Sequence, residues 1–123
     1  MALESKVYAA LATAVHLNTL VGDRIYPIKM LQGTDYPAIV YRRSGGERIQ
    51  DVSGYSTLEN AEIEVEVHAT AITARRLVGD AVVSALSHAT GFSGMMFSSP
   101  FDRYDDSIGI YTRTMEISIW NSE

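Results

Sequence analysis

The stretch LENAEIEVEVHA, residues 58–69, constrains the fold of this chain more than any other. Its apolar positions alternate with polar ones: Ala61, Ile63, Val65 and Val67. The polar positions are Glu62, Glu64, Glu66 and His68, and the three glutamates are called the acidic column below. This alternation of apolar and polar residues predicts a strand at 59–69 with one buried and one solvent-exposed face. Such strands are typical of antiparallel sheets that are covered on one side only.

Two amphipathic helices are predicted to cover the apolar face of that sheet. In the first helix, at 3–18, Leu3, Val7, Leu11 and Val15 recur every fourth residue and form one apolar stripe. The second helix, at 71–88, follows the alternating strand, and Thr70 is its predicted N-cap. Gly79 borders the apolar stripe of this helix, which predicts close packing against another element.

Three further strands complete the predicted sheet. The β-branched and aromatic run at 38–43 predicts one strand, and a short one is predicted at 95–98. A final strand at 108–120 is longer than most, which predicts a bulge or two uses of it. The segment FDRYDD, 101–106, is predicted to be a turn. We therefore predict one α+β domain, 1–123, with a mainly antiparallel sheet and two helices packed on one of its faces.

The segment SGGERIQDVSGYST, residues 44–57, is predicted to be a long polar loop. Loops of this length in compact domains are usually functional. Ile49, Val52 and Tyr55 lie inside it, and apolar residues in an exposed loop are explained if a partner buries them. We predict that these three residues and Arg48 form a contact loop.

The composition excludes several classes of function. The chain has 123 residues and no cysteine, which excludes disulfides, thiolate zinc sites and cysteine nucleophiles. Its formal net charge of −5 argues against binding of nucleic acid through a basic surface patch. No run approaches the roughly 18 apolar residues that span a bilayer, so we expect a soluble cytoplasmic protein without a membrane partner.

The sequence contains no recognisable catalytic constellation. It lacks the G-x-S-x-G, P-loop, G-x-G-x-x-G and H-E-x-x-H motifs. Glu66 and His68 are neighbours on one strand face, which leaves an acid–base pair or a metal site as alternatives. However, one row along one strand cannot surround an ion, and Asp105 and Asp106 are typical of a turn. We expect no catalytic residues, no metal and no cofactor.

Three interpretations of the acidic column remain open. It forms a solvated face, or it pairs across strands with Arg42, Arg43 or Arg113. In the functional interpretation the column faces a space shared by several subunits, or meets Arg42 and Arg43 of the next subunit. In a ring, such columns would make a negative lumen that repels the backbone of DNA and lets it slide.

The order of these features resembles the tail-completion, or tail-terminator, proteins of long-tailed bacteriophages. The first likeness is LVGDRIYPIKMLQGTDYPAIVYRR, where the family has an "lvg-rIyp…PyivY" run. The matching residues are Arg24, Ile25, Tyr26, Pro27, Pro37, Ile39, Val40 and Tyr41. AEIEVEVHA followed by ARRLVGDAVVSAL, and the closing strand YTRTMEISIW, are also similar to family patterns. The likeness covers nearly the whole chain, although GFSGMMFSSPFDRYDD has no counterpart in it.

The resemblance implies a structural virion protein without enzymatic activity. Such proteins form a homohexameric ring on the last ring of the tail-tube protein and end tube polymerisation. They then present the surface that joins the head connector, and DNA passes through the central hole without specific binding. The expected location is the tail or neck of a virion that is assembled in the host cytoplasm. A neighbouring neck (head-completion) protein and a small α+β ligand-binding or regulatory domain remain as alternatives.

Overall fold

The computed structural model describes residues 3–51, 54–92 and 94–122, and for residues 45–51, 54–59, 121 and 122 it describes only the backbone. The part so described contains three helices and six strands. The helices are α1, Leu3–Ala12, α2, Val15–Val21, and α3, Ile72–Ser87. The strands are β1, Ile25–Pro27, β2, Ala38–Asp51, β3, Gly54–Ala69, β4, Gly94–Phe97, β5, Phe101–Asp105, and β6, Ile110–Ser122.

The strands form one sheet in the order β1-β2-β3-β6-β4, and β5 also pairs with β6. All pairs are antiparallel except β1 with β2, which is parallel. The predicted α+β fold is confirmed. The predicted double use of the last strand is confirmed as well, because β6 pairs with β3 along one side and with β4 and β5 along the other.

The core lies between the helices and one face of the sheet. From the sheet, Ile63, Val65, Val67, Ile117 and Ile119 are completely buried. From the helices, the buried residues include Leu3, Val7, Leu11, Leu17, Val21, Val78, Val82 and Leu86. Their helical spacing turns one stripe of each helix toward the sheet, so the apolar half of the alternating strand is covered as predicted.

The predicted first helix is wrong in one respect, because it is broken into α1 and α2 at residues 13 and 14. The Thr13 hydroxyl donates to the carbonyl of Ala9 at 2.7 Å, and the Asn18 amide donates to the carbonyl of Ala12. The Thr13 N–H also donates to the Ala9 carbonyl, so the last helical bond of α1 is kept, whereas the Asn18 side chain satisfies the Ala12 carbonyl where the helix ends. Val15 consequently lies outside the stripe and is 80% exposed.

The predicted loop at 44–57 is also wrong, because β2 and β3 continue as a β-hairpin through most of it. The strands stay paired from Arg43↔Ile63 to Asp51↔Gly54, with register shifts after Arg43 and Arg48. Bulges of this kind accommodate the extra residues and the glycines that indicated a loop in the sequence. The predicted turn at 101–106 is wrong as well, because Phe101–Asp105 form β5.

Helix α3 agrees with its prediction except at its cap. Thr70 is not the N-cap, because Ala71 precedes the helix in an extended conformation without a side-chain cap bond. The close packing at Gly79 is confirmed. A Cβ at this position would lie 2.9 Å from Cδ of Arg113 on β6, so a larger residue would force the Arg113 side chain to shift.

Candidate functional site

The polar side chains of β3 point away from the helices. We call this side of the sheet the open face. The acidic column lies on it, with His68 at its end, and the neighbours on β2 and β6 are set by the strand register. Arg42 lies opposite Glu64 on β2, and Glu116 lies opposite Glu64 on β6. The open face therefore gathers charges from three strands that are distant in sequence.

Arg42 is the centre of a charge network on the open face. Its Nη1 donates to Glu64, and its Nη2 donates to Oε1 of Glu66 at 3.2 Å and to the carbonyl of Ile28 at 3.1 Å. Nε2 of His68 lies 3.3 Å from the same Glu66 oxygen. The side chains of Glu66 and His68 are only 15% and 16% exposed. Cross-strand pairing of the acidic column is thus confirmed for Arg42.

The network holds the Glu66 carboxylate in its ionised form. Burial by itself raises the pKa of Glu66, but the hydrogen bond and charge of Arg42, helped by His68, outweigh it and lower that pKa. The hydrogen bond to Glu66 in turn raises the pKa of Arg42. A carboxylate bound in this way is a weak base, so the arrangement holds charge in place and is poorly suited to acid–base catalysis.

This network makes the stability of the fold sensitive to acid. Because the pKa of Glu66 is lowered by folding, its contribution is fully present above the ordinary glutamate pKa of about 4.3 and is lost as pH falls through the lowered value. We expect Glu66→Gln to cost about 1–2 kcal/mol at pH 7. Urea unfolding of both proteins between pH 7 and pH 3 should show this difference shrinking below about pH 4. A difference that is constant over this range would contradict the role of the ionised carboxylate.

Two other carboxylates of the open face, Glu62 and Glu116, are not among the ion-pair partners of Arg42. Glu62 and Glu116 are exposed, and both line a cavity of about 140 Å³ beside Met96 and Phe97 of β4. In the residues that the structure describes, no three His, Asp or Glu side chains are placed to hold a metal ion. By register, Glu62, Glu64, Glu66 and Glu116 lie on the open face together with Arg42 and with Arg103 of β5, so carboxylates outnumber guanidiniums and the face is negative.

Arg43 and Arg113 lie on the helix side of the sheet, so their predicted pairing with the acidic column is wrong. Arg43 lies opposite the buried Ile63 and reaches Glu4 of α1 at 3.5 Å. Alternation along the strand decides this, because neighbouring residues point to opposite faces. Whether Arg42 and Arg43 also contact a second subunit stays a prediction.

Arg113 belongs to a cluster that the sequence did not indicate. Its Nε and Nη2 donate to both carboxylate oxygens of Asp102 on β5, at 2.8 and 3.1 Å. Arg75 of α3 lies 3.5 Å from the same carboxylate and 5.6 Å from the ring of Tyr111. The hydrogen bond from Arg113 lowers the pKa of Asp102. This cluster attaches β5 to β6 and α3, and no local pattern in 101–106 could have revealed it.

The predicted contact loop forms the end of the β2–β3 hairpin. Val52 lies outside the described residues, and only the backbone is described for Arg48, Ile49 and Tyr55. Pairing of β3 with β6 ends at Leu58, whereas its pairing with β2 continues to Asp51↔Gly54. The end of the hairpin is therefore a two-stranded arm, in which β3 has lost its pairing with β6.

The helix side contains an open groove of about 640 Å³ between α1, α2 and the end of α3. Small side chains such as Ala10 and Ala85 line it, with Lys6, His16 and His88 at its border. This groove is where the ligand-binding alternative would have its site. Among the described helices, none combines the length and the apolar character that crossing a membrane requires.

Comparisons with known proteins agree with the fold and add a family. A chain from a structure described as "Virion of native gene transfer agent (GTA) particle" has a TM-score of 0.76 and 17% identity, over 99% of this chain and 96% of that one. At this identity the likeness concerns the fold. No curated protein matches the sequence.

The family model described as "Tail completion protein gp17" matches residues 5–122. The chain therefore belongs to the tail completion protein gp17 family and is a structural protein of a phage-type tail.

Proposed function

We propose that the chain forms a ring, a homohexamer, on the last ring of the tail tube. The ring ends tube polymerisation, presents the surface that joins the head connector, and leaves a central channel for DNA. The observation that carries this proposal is the family match over residues 5–122. The ring is located in the tail or neck of the virion, and it is assembled in the host cytoplasm without a membrane partner.

The β2–β3 hairpin supports a contact with the tail tube. Its two-stranded end extends past the last residue pair of β3 with β6 and contains Arg48, Ile49 and Tyr55, and Val52 lies between β2 and β3 in the sequence. A two-stranded ribbon is marginally stable alone and gains stability when a partner covers it. Apolar residues at its end are suited to such a partner. We place the contact with the tube or neck protein at this arm.

The charge of the open face supports its position at the channel. On the open face, Arg42 forms ion pairs with Glu64 and Glu66, whereas Glu62 and Glu116 are exposed. Repeated around a ring, these carboxylates give a wall that repels phosphates and lets DNA pass without being bound. In this arrangement the acidic column faces the lumen, and the helices face outward.

The mass of the protein in solution, measured by light scattering with and without isolated tail tubes, tests the ring. We expect particles of six times the subunit mass of 13.5 kDa, either free or bound to the ends of tubes. A protein that ignores tubes but binds a head connector would favour the adjacent neck protein instead of the terminator. A monomer that ignores the tubes would sink the proposal and favour the ligand-binding alternative, with the groove beside α3 as its site.

Variants of the arm sharpen this experiment. Changing Ile49, Val52 and Tyr55 to serine removes the apolar side chains of the arm, so we expect the subunit to fold and to fail to bind tubes. Tails assembled with this variant should have uncontrolled lengths. The matched control changes three exposed apolar residues of the helices to serine, Val15, Ile72 and Leu77, which are 80%, 56% and 49% exposed. Normal tail lengths from the arm variant would show that the arm does not contact the tube.

A further inference from the structure

The sheet has two open edges, on opposite sides of the subunit. On one side, β1 pairs only with residues Ile39–Tyr41 of β2, so within the described ranges the outer edge of β2 is uncovered from Arg42 to Asp51. On the other side, β4 and β5 pair with β6, and neither has a further partner in the described part of the chain. Open edges present unpaired N–H and C=O groups and are usually protected or used for pairing.

Exposed apolar side chains accompany both edges. Beside β1, Ile28 and Leu31 are 70% and 66% exposed. On β4 and β5, Met96 and Phe101 are 63% and 64% exposed. A single exposed apolar residue is ordinary, but here such residues lie in pairs where backbone groups are also unpaired. By register, Met96 and Phe101 lie on the open-face side of their strands, so the β4–β5 edge combines unpaired backbone groups with apolar side chains where that edge borders the open face.

The strand register shows which parts of the two edges lie at the same position along the strand direction. One line of register partners crosses the sheet through Met96, Ser118, Glu62 and Gly45. A second line crosses it through Phe101, Thr114, Glu66, Val40 and Tyr26. At the height of β4, the opposite edge is the uncovered part of β2. At the height of β5, it is β1 and the segment with Ile28 that follows it. A rotation about an axis parallel to the strands brings these surfaces together.

The charges of the two edges are complementary. The segment 24–48, which includes β1 and much of β2, holds five of the ten basic residues of the chain and only two of its fifteen acidic ones. The segment 101–106, which includes β5, holds three aspartates and one arginine. Arg42 and Arg43 are paired with glutamates, and Asp102 is paired with Arg113. The remaining charges give a small positive excess at 24–48 and a small negative excess at 101–106. Opposite potentials of this kind select a partner and fix its register.

We infer that the partner of each edge is a second copy of this chain, with the β4–β5 edge of one subunit docked against the β1–β2 edge of the next. The two surfaces differ, so the contact is heterologous, and repeated heterologous contacts close into a ring when the rotation permits. This inference rests on the proposed ring and adds the interface that builds it. Open edges of neighbouring subunits become paired, and the open faces line one common lumen.

Cysteine cross-linking tests the interface, because the natural chain has no cysteine. The test protein carries Leu31→Cys and Phe101→Cys, one on each edge, and is treated with a flexible bis-maleimide while bound to tail tubes. The matched control carries Val15→Cys and Phe101→Cys, since Val15 is 80% exposed, more than Leu31 at 66%, but lies on the helix side. Circular dichroism checks that both proteins are folded. Neighbouring thiols have millimolar effective concentrations, so we expect cross-linking roughly 10²-fold faster in the test protein than in the control.

The outcomes separate the interface from the ring itself. A ladder of covalent oligomers up to the hexamer, formed by the test protein and not by the control, supports the edge-to-edge contact. Rings of normal mass that give no ladder, or the same ladder in both proteins, overturn the interface and leave the ring. If wild-type protein forms no ring with or without tubes, the proposed function fails, and the interface fails with it.

Discussion

Replacing Ile63 with alanine lowers the free energy of unfolding by about 3 kcal/mol, which is a large part of the stability of a domain of this size. Ile63 is completely buried in β3, between β2 and β6, and lies opposite Ile117. The substitution removes three carbon atoms from a site that strands on both sides and helices above hold in place. Because the surrounding backbone is paired, we expect the cavity to persist.

Thermal unfolding at one fixed protein concentration measures this effect, with an expected decrease in melting temperature of about 12 °C. The matched control is Ile72→Ala at the start of α3, where the side chain is 56% exposed. This control should change the free energy by about 0.5 kcal/mol or less. Equal losses from both variants would contradict the position of Ile63 in the core and, with it, the direction in which the alternating strand faces.

Replacing Arg42 with methionine is expected to cost about 2 kcal/mol. The change keeps most of the apolar stem but leaves Glu64 and Glu66 close to each other without a cation. Removing one partner of a fully buried ion pair costs about 3–5 kcal/mol. Side chains that are 32%, 21% and 15% exposed retain some solvation, so we expect a smaller loss.

Arg43→Met is the matched control for Arg42, one residue further along the same strand and on the other face. Arg43 and its partner Glu4 are 35% and 41% exposed at 3.5 Å, so the expected loss is about 0.5 kcal/mol or less. Urea unfolding of the two variants at pH 7 measures the difference. If Arg42→Met is as mild as Arg43→Met, the network does not stabilise the isolated subunit, and Arg42 is available for the contact with the next subunit that the sequence suggested.

The subunit uses different parts of its surface for different proposed contacts. The open face is turned to the channel, the two edges are turned to neighbouring subunits, and the arm of the β2–β3 hairpin is turned to the tube. The network of Arg42 links the first two, because its Nη2 also donates to the carbonyl of Ile28, which lies at the β1–β2 edge. Ile28 has a positive φ of 71°, which is unusual for a β-branched residue, and this bond helps to hold it there.

Local periodicity accounts for the parts of the structure that the sequence predicted well. The alternation at 59–69 identified the strand and its buried face, and the helical spacing at 71–88 identified α3. Both patterns repeat within a few residues, and they reflect which side of an element loses contact with water. Similar reasoning placed the acidic column on the open face and Gly79 at a close contact.

The errors concern elements whose partners are distant along the chain. β5 was predicted to be a turn because FDRYD has no strand pattern, yet β6 offers it a free edge and Arg113 binds Asp102. The glycines of 44–57 indicated a loop, yet bulges keep the hairpin paired. The sequence alone does not distinguish Arg42 from Arg43, although only Arg42 points to the acidic column.

By itself, the sequence determined the fold class, the side of the sheet that is buried and the absence of thiol chemistry, because these follow from composition and from the period of apolar residues. The tertiary structure alone decided where the strands end, which arginine neutralises which carboxylate and which edges stay open. Those properties depend on pairs such as Arg42 with Glu64, 22 residues apart, and no local pattern records them. Strand register brings such residues together, and a shift of one residue would turn each side chain to the other face of the sheet.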